Sequence, residues 1–271
     1  MRYLVLIIAI SSVAFGTTDH RGTDGISLTL INNWTAPDQI RGLDVYEYGA
    51  YFVVFATDIY AMEIQSYEPA TGTYLGAVDI SPSNTSVYGV ATQSNSDTPC
   101  FLTNDFDSDT LYYSDDMGSG WSTFTNPAGI RGRGMDFDGT HYWTIDIDNG
   151  GLWRFQPGGS QQNFPTPELT ATSPSGVTTF PYQGNTWIAI APYSNHLIYF
   201  YKWNGTAISF MGYASIPLGG SYNSLGLAYA ETNGHMYWSY YASSGETHLA
   251  ELSFEITALE RSSWGSIKHS F

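Results

Sequence analysis

Cysteine is nearly absent from this sequence. Cys100 is the only one, so no internal disulfide can form and stability must come from packed apolar surface. Charge is also scarce, at 13% of residues where about a quarter is usual, and positive charge is scarcest, with 9 Lys and Arg against 25 Asp and Glu. The formal net charge of −16 repels phosphate backbones and anionic lipid. It excludes nucleic acid as a partner and favours an uncharged or cationic ligand, such as a carbohydrate, or a surface protein. No G-x-S-x-G, H-E-x-x-H, C-x-x-C or P-loop pattern occurs, and Arg131-Gly132-Arg133-Gly134 lies between strand patterns rather than ahead of a helix. Helical periodicity is almost missing.

Long apolar runs are lacking too. The one run of note, Tyr3 to Ile10, is too short to span a bilayer; with Arg2 before it and the ending Ala14-Phe15-Gly16 after it, residues 1–16 read as a secretory signal peptide cleaved after Gly16. That reading places the protein outside the cytoplasm, secreted, at the cell surface or in a periplasm, with residues 17–26 as a linker.

What the sequence has in quantity is aromatic residues, 16%, set in short strand patterns. The clearest stretch runs from Arg133 to Gly159. Gly134–Phe137, His141–Ile145 and Leu152–Phe155 are each short and rich in aromatic or β-branched residues. Asp138-Gly139 between the first two reads as a two-residue hairpin, and Asp148–Gly151 as a longer loop. The unit is an antiparallel meander.

Looser copies begin at Gly42, Gly89, Gly176 and Gly226, so that successive first-strand glycines are 47, 45, 42 and 50 residues apart, close to the period of four-stranded propeller blades. The second strands carry Phe52, Phe101, Trp143, Trp187 and Trp238 at a matching place. Four copies continue through turn sequences into a fourth strand, and the fifth does not. The alternating segment Ser27–Ile31 supplies the missing strand from the other end of the chain, which closes the ring and removes a pair of exposed edges. The fold is predicted to be all-β, a five-bladed β-propeller over residues 27–256, monomeric, followed by a tail at 257–271.

The candidate site lies in what the blades do not share. Two of them open with Arg41-Gly42-Leu43-Asp44 and Arg133-Gly134-Met135-Asp136, whereas the others carry Ala91, Thr178 and Ala228 where these carry Asp. First strands line a propeller's channel, so Arg41, Asp44, Arg133 and Asp136 are expected to frame one mouth of it. Asp105, Asp107 and Asp109 from one second-to-third loop, with Asp146 and Asp148 from the next, should gather on the same face. Three readings fit: Arg–Asp ion pairs bracing the loops; a Ca2+ site of closely spaced carboxylates, although the pattern lacks the Gly and distal Glu of an EF-hand; or a pocket in which the arginines hold a ligand and the aspartates act as acid and base.

The unit GMDFDGTHYWTIDIDNGGLWRFQP resembles blades of secreted bacterial propellers related to the glutamine cyclotransferase, NHL and SMP-30 groups. The resemblance runs as a pattern from Arg41 to Phe254 and implies the fold; it does not carry an activity across. The tail, with Ser263-Trp264-Gly265-Ser266-Ile267-Lys268, resembles endings of exported proteins and reads either as a sorting or docking segment or as a strand packed outside the ring. Taken together, the sequence is read as a secreted, non-catalytic ligand-binding or surface-interaction module, with Ca2+ as its candidate stabilising ion. The alternative is a channel-mouth enzyme: a glycoside hydrolase, a lyase or a glutaminyl cyclotransferase-like protein.

Overall fold

The computed structural model describes residues 25–37, 39–93 and 98–256. The signal-peptide reading of residues 1–16, most of the 17–26 linker and the tail at 257–271 lie outside the described residues. The described chain is almost entirely strand. β1 (Ile26–Thr35) comes first, followed by β2 (Ile40–Tyr48), β3 (Tyr51–Asp58), β4 (Glu63–Tyr67) and β5 (Tyr74–Asp79). Next come β6 (Val87–Gln93), β7 (Cys100–Asp105), β8 (Thr110–Ser114) and β9 (Ser122–Thr125), then β10 (Gly132–Phe137), β11 (Tyr142–Asp146), β12 (Leu152–Phe155) and β13 (Gln161–Phe164). The last are β14 (Pro174–Tyr182), β15 (Asn185–Pro192), β16 (Leu197–Trp203) and β17 (Ile208–Ser215), and β18 (Tyr222–Ala230), β19 (His235–Ala242) and β20 (Thr247–Ile256). Among the described residues no helix is long and apolar enough to cross a membrane.

These strands form five antiparallel four-stranded sheets, β2–β5, β6–β9, β10–β13, β14–β17, and β18–β20 completed by β1. The protein is a five-bladed β-propeller. β1 pairs antiparallel with β20, Leu28 opposite Phe254 and Trp34 opposite Leu249, so the N-terminal strand is the outer strand of the last blade. The alternation of Ile26 and Leu28 into the core explains why it can close the ring.

The apolar core is divided among the blade interfaces. Each of the five clusters joins one pair of neighbours: Phe55 with Phe101, Leu102 with Tyr142, Trp143 with Ile188, Trp187 with Trp238, and Tyr237 with Val54. The second-strand aromatics are the pieces these clusters are built on; Phe101, Trp143 and Trp238 are fully buried. No blade could bury its faces alone, which makes the ring one cooperative unit.

The first-strand glycines have a specific cause. A Cβ on Gly42 would lie 2.5 Å from the Tyr88 carbonyl oxygen and 2.7 Å from Gly89 Cα; one on Gly134 would lie 2.6 Å from Ser175 O and 2.8 Å from Gly176 Cα. Gly176 faces the backbone at Gly226, and Gly226 that at Gly42. The five form a closed ring in which the inner strands touch backbone to backbone. Every inner strand also shifts register beside its glycine, as between Ile40 and Leu43 in β2 and between Gly132 and Met135 in β10. These bulges free backbone groups that must be satisfied elsewhere. Second-strand side chains do so and staple the blades: Thr57 accepts from Gly42 N–H and donates to Tyr88 O, Asn104 accepts from Gly89 N–H (2.6 Å) and donates to Arg133 O (2.8 Å), and Ser239 accepts from Gly226 N–H (2.8 Å) and donates to Arg41 O (2.6 Å).

One local expectation is corrected. The Asp138-Gly139 turn is not a two-residue hairpin, because β11 starts only at Tyr142 and Phe137 pairs with Tyr142. The Asp138 carboxylate accepts the N–H groups of Thr140 (2.9 Å) and His141 (2.7 Å), which holds the longer loop.

Candidate functional site

The two arginines and two aspartates expected at one mouth occupy different ends of the channel. Arg41 and Arg133 stand near the start of β2 and β10, beside Tyr88 and the second-to-third loops. Asp44 and Asp136 lie three residues further along. They line a cavity of about 350 Å3 whose wall is made of the ends of the inner strands and the first-to-second hairpins, with neither arginine in it. The bulge between each pair's Arg and Asp puts the two at separate levels. Ion pairing within the motif is therefore not what these residues do.

Each aspartate instead reaches the next blade. Asp44 Oδ1 accepts Val45 N–H (2.7 Å), and its Oδ2 accepts the Thr92 hydroxyl (3.0 Å) and Thr92 N–H. Asp136 Oδ2 accepts Thr179 N–H (2.9 Å) and the Thr179 hydroxyl, while Oδ1 accepts the Thr178 hydroxyl at 3.3 Å. An Asp from the first or third blade thus meets a Thr from the second or fourth. Those threonines were missed from sequence. The available signal was that two of the three blades without Asp carry a Thr, Thr92 or Thr179, one position later.

Burial dominates the chemistry of this pair, since removing a carboxylate from water disfavours its charged form. It pushes Asp136 up to about 7, against hydrogen bonds from Thr179 and Thr178 that pull the other way and with the charge of Asp138 adding to the rise. Asp44 is raised well above the ordinary carboxylate range, first by burial and then by the charge of Asp136. At the rim burial would raise Asp138 as well, but hydrogen bonds from Thr140, His141 N–H and Trp143 outweigh it and lower that carboxylate; Arg154 also pairs with it at 3.2 Å. Glu231 is raised by burial and by Glu47 beside it. The cavity wall holds five carboxyl side chains, Asp44, Glu47, Asp136, Asp138 and Glu231, together with Phe137, Phe180 and Tyr229. Among the described residues it holds no basic one.

The calcium reading finds no support in the placement of its residues. Among the described residues no three His, Cys, Asp or Glu side chains come together as a metal-binding group. Asp105 Oδ1 accepts the N–H groups of Asp107 (2.7 Å) and Ser108 (2.8 Å), and Asp146 Oδ1 those of Asp148 (2.8 Å) and Asn149 (3.2 Å). Asp58 does the same at the corresponding place in the first blade. Asp107 accepts from the Ser86 hydroxyl (2.6 Å), Asp148 pairs with Arg131 (2.9 Å), and Asp109 is exposed. These aspartates close a turn repeated in three blades. If these aspartates serve their turns alone, added Ca2+ and EDTA should both leave the melting midpoint unchanged in scanning calorimetry, since only an ion that binds the native state raises it. A Ca2+-dependent rise lost in Asp105→Asn would contradict this.

No protein-family model matches the chain, and no curated protein sequence matches it. Solved structures match its fold. A glutaminyl cyclase from Myxococcus xanthus aligns with a TM-score of 0.60 at 11% identity, covering 86% of this chain and 98% of that one. A chain of a nidogen/laminin complex aligns at 0.54 with 13% identity, covering 81% and 85%. A virginiamycin B lyase from Staphylococcus aureus aligns at 0.48 with 13% identity, covering 84% and 74%. The likeness to the cyclotransferase-type propellers is one of fold.

Proposed function

We propose that the chain is a non-catalytic binding propeller, working outside the cytoplasm, that takes a small cationic ligand at the acidic end of its channel. The observation that carries this reading is the wall of the cavity of about 350 Å3, which among the described residues holds five carboxyl side chains and no basic one. A protonated amine is the complement of such a wall, and the rings of Phe137, Phe180 and Tyr229 suit an amine with an aromatic or apolar body. Asp136 is the anchoring charge, and Glu47 adds to the field that draws a cation in, whereas Asp138 is paired with Arg154. Export rests on residues 1–16 alone.

The test is a calorimetric titration with tyramine at pH 8, alongside its neutral counterpart 4-ethylphenol and the anion 3-(4-hydroxyphenyl)propionate. Tyramine should bind and the other two should not. Asp136→Asn should weaken tyramine by about tenfold or more, the loss of one charge-assisted contact. Equal binding of the neutral compound, or no effect of the substitution, would refute the reading.

A second reading has one observation in its favour. A carboxyl titrating at about 7 is suited to carry a proton in a reaction near neutral pH. One such reaction is the cyclisation of an N-terminal glutamine, the chemistry named for the Myxococcus structure. Ammonia release from a glutaminyl dipeptide, abolished by Asp136→Asn, would favour catalysis over simple binding.

A further inference from the structure

The arginine end of the channel has a chemistry of its own. Arg133 is 2% exposed, and its Nη1 donates to the Gly132 (2.8 Å) and Ile130 (3.2 Å) carbonyls. Its guanidinium carbon lies 4.1 Å from the centre of the Phe106 ring and 5.2 Å from that of Tyr88, and the two rings are stacked 5.8 Å apart. The group is fixed in place, yet its Nε is buried without a hydrogen-bond partner among the described residues. Arg41 Nη1 is buried without one as well. Both arginines act through their charge on buried Tyr88, whose hydroxyl also has Ser175 as a hydrogen-bond partner; burial pushes that hydroxyl up to about 12 all the same, so it stays a phenol and can donate. Arg131 and Asp148 pair with each other and Asp146 holds its own loop, so neither carboxylate is hydrogen-bonded to Arg133. A buried guanidinium nitrogen left without an acceptor in each of two arginines, as here among the described residues, is unfavourable unless something supplies the acceptor.

We propose that this end binds a ligand through a carboxylate, held by Arg41, Arg133 and Tyr88. The class follows from the surroundings. A carboxylate offers two coplanar oxygens for guanidinium and phenol donors. A dianion such as phosphate would bring a second charge close to Asp146 and Asp148 in a chain of net charge −16. The rim is apolar, with Phe106 44%, Ile130 47% and Tyr193 37% exposed. Exposed side chains of this size grouped around buried cations suit the aromatic or apolar body of an organic acid. The site is separate from the acidic cavity, whose lining shares none of these residues.

The experiment uses the full chain with sodium benzoate as probe, sodium acetate and sodium sulfate as comparisons, and constant ionic strength throughout. Benzoate should bind saturably in calorimetry and raise the melting midpoint, acetate should bind more weakly for want of a ring, and sulfate should not compete. Arg41→Gln should weaken benzoate about tenfold or more, as expected for one lost charge-assisted hydrogen bond. Lys202→Gln removes the same charge elsewhere and should change nothing. Arg133 is packed tightly enough that its removal could unfold the ring, so the half-buried Arg41 decides the outcome. The proposal is overturned if benzoate shows no saturable binding, if Arg41→Gln binds it as well as the parent does, or if sulfate matches benzoate.

Discussion

Gly134→Ala is expected to destabilise the propeller by about 3 kcal/mol or more, which for a chain of this size lowers the melting midpoint by roughly 10 °C. The new methyl carbon would stand 2.6 Å from both Ser175 O and Val177 N and 2.8 Å from Gly176 Cα. Nothing there is a side chain that can turn aside. The neighbouring inner strand would have to move, and it is fixed by its own neighbour around the ring, because interiors this dense transmit strain rather than absorb it. Gly120→Ala is the control: a Cβ there meets nothing within 4 Å, so its effect should stay within about 0.5 kcal/mol. Scanning calorimetry of the two variants beside the parent decides the matter. A Gly134→Ala protein that melts with the parent would mean that the inner strands are not in backbone contact.

Stability is expected to fall as pH rises from 5 to 8, and the buried pair Asp136 and Asp44 is the cause. The Asp136 carboxyl titrates near 3.8 when unfolded and at about 7 when folded. Between those values the folded protein holds the extra proton, so its stabilisation is complete below pH 4 and is lost as pH climbs through 7. The full effect is on the order of 4 kcal/mol. Asp44, also raised by burial, acts in the same direction. The lowered Asp138 acts only at more acidic pH, and His141, lowered by burial and by Arg154, opposes the trend but is mostly exposed. Asp136→Asn should therefore flatten the dependence and raise the midpoint at pH 8, as urea midpoints at a series of pH values would register. An unchanged slope in the variant would assign the pH dependence to other groups.

The repeat was legible because its cause is local: each blade needs a glycine where inner strands touch and an aromatic where blades pack, and both recur at blade spacing. Ring closure was legible from the alternation of Ser27–Ile31 and the lack of a fourth strand after β20. The site was only half legible. Arg41-Gly42-Leu43-Asp44 announces an unusual strand, but the bulge beside Gly42 separates Arg41 from Asp44, and a bulge leaves no mark in a pattern of alternation. The partners Thr92 and Thr179 come from adjacent blades and were hidden by distance along the chain. Asp105 and Asp146 are ambiguous in sequence for a physical reason. A turn's N–H groups and a calcium ion both favour a carboxylate, so Asp-x-Asp spacing suits either.

The most direct test of a cation site governed by Asp136 is the affinity for tyramine measured by calorimetry from pH 8 to pH 5, in the parent and in Asp136→Asn. Protonation removes the anchoring charge, so parent affinity should weaken progressively as pH falls, while the variant should bind weakly at every pH and follow no such curve. Parent binding that is equally strong at pH 5 and pH 8, or a variant that keeps the parent's pH dependence, would contradict the assignment of the acidic end as the ligand site.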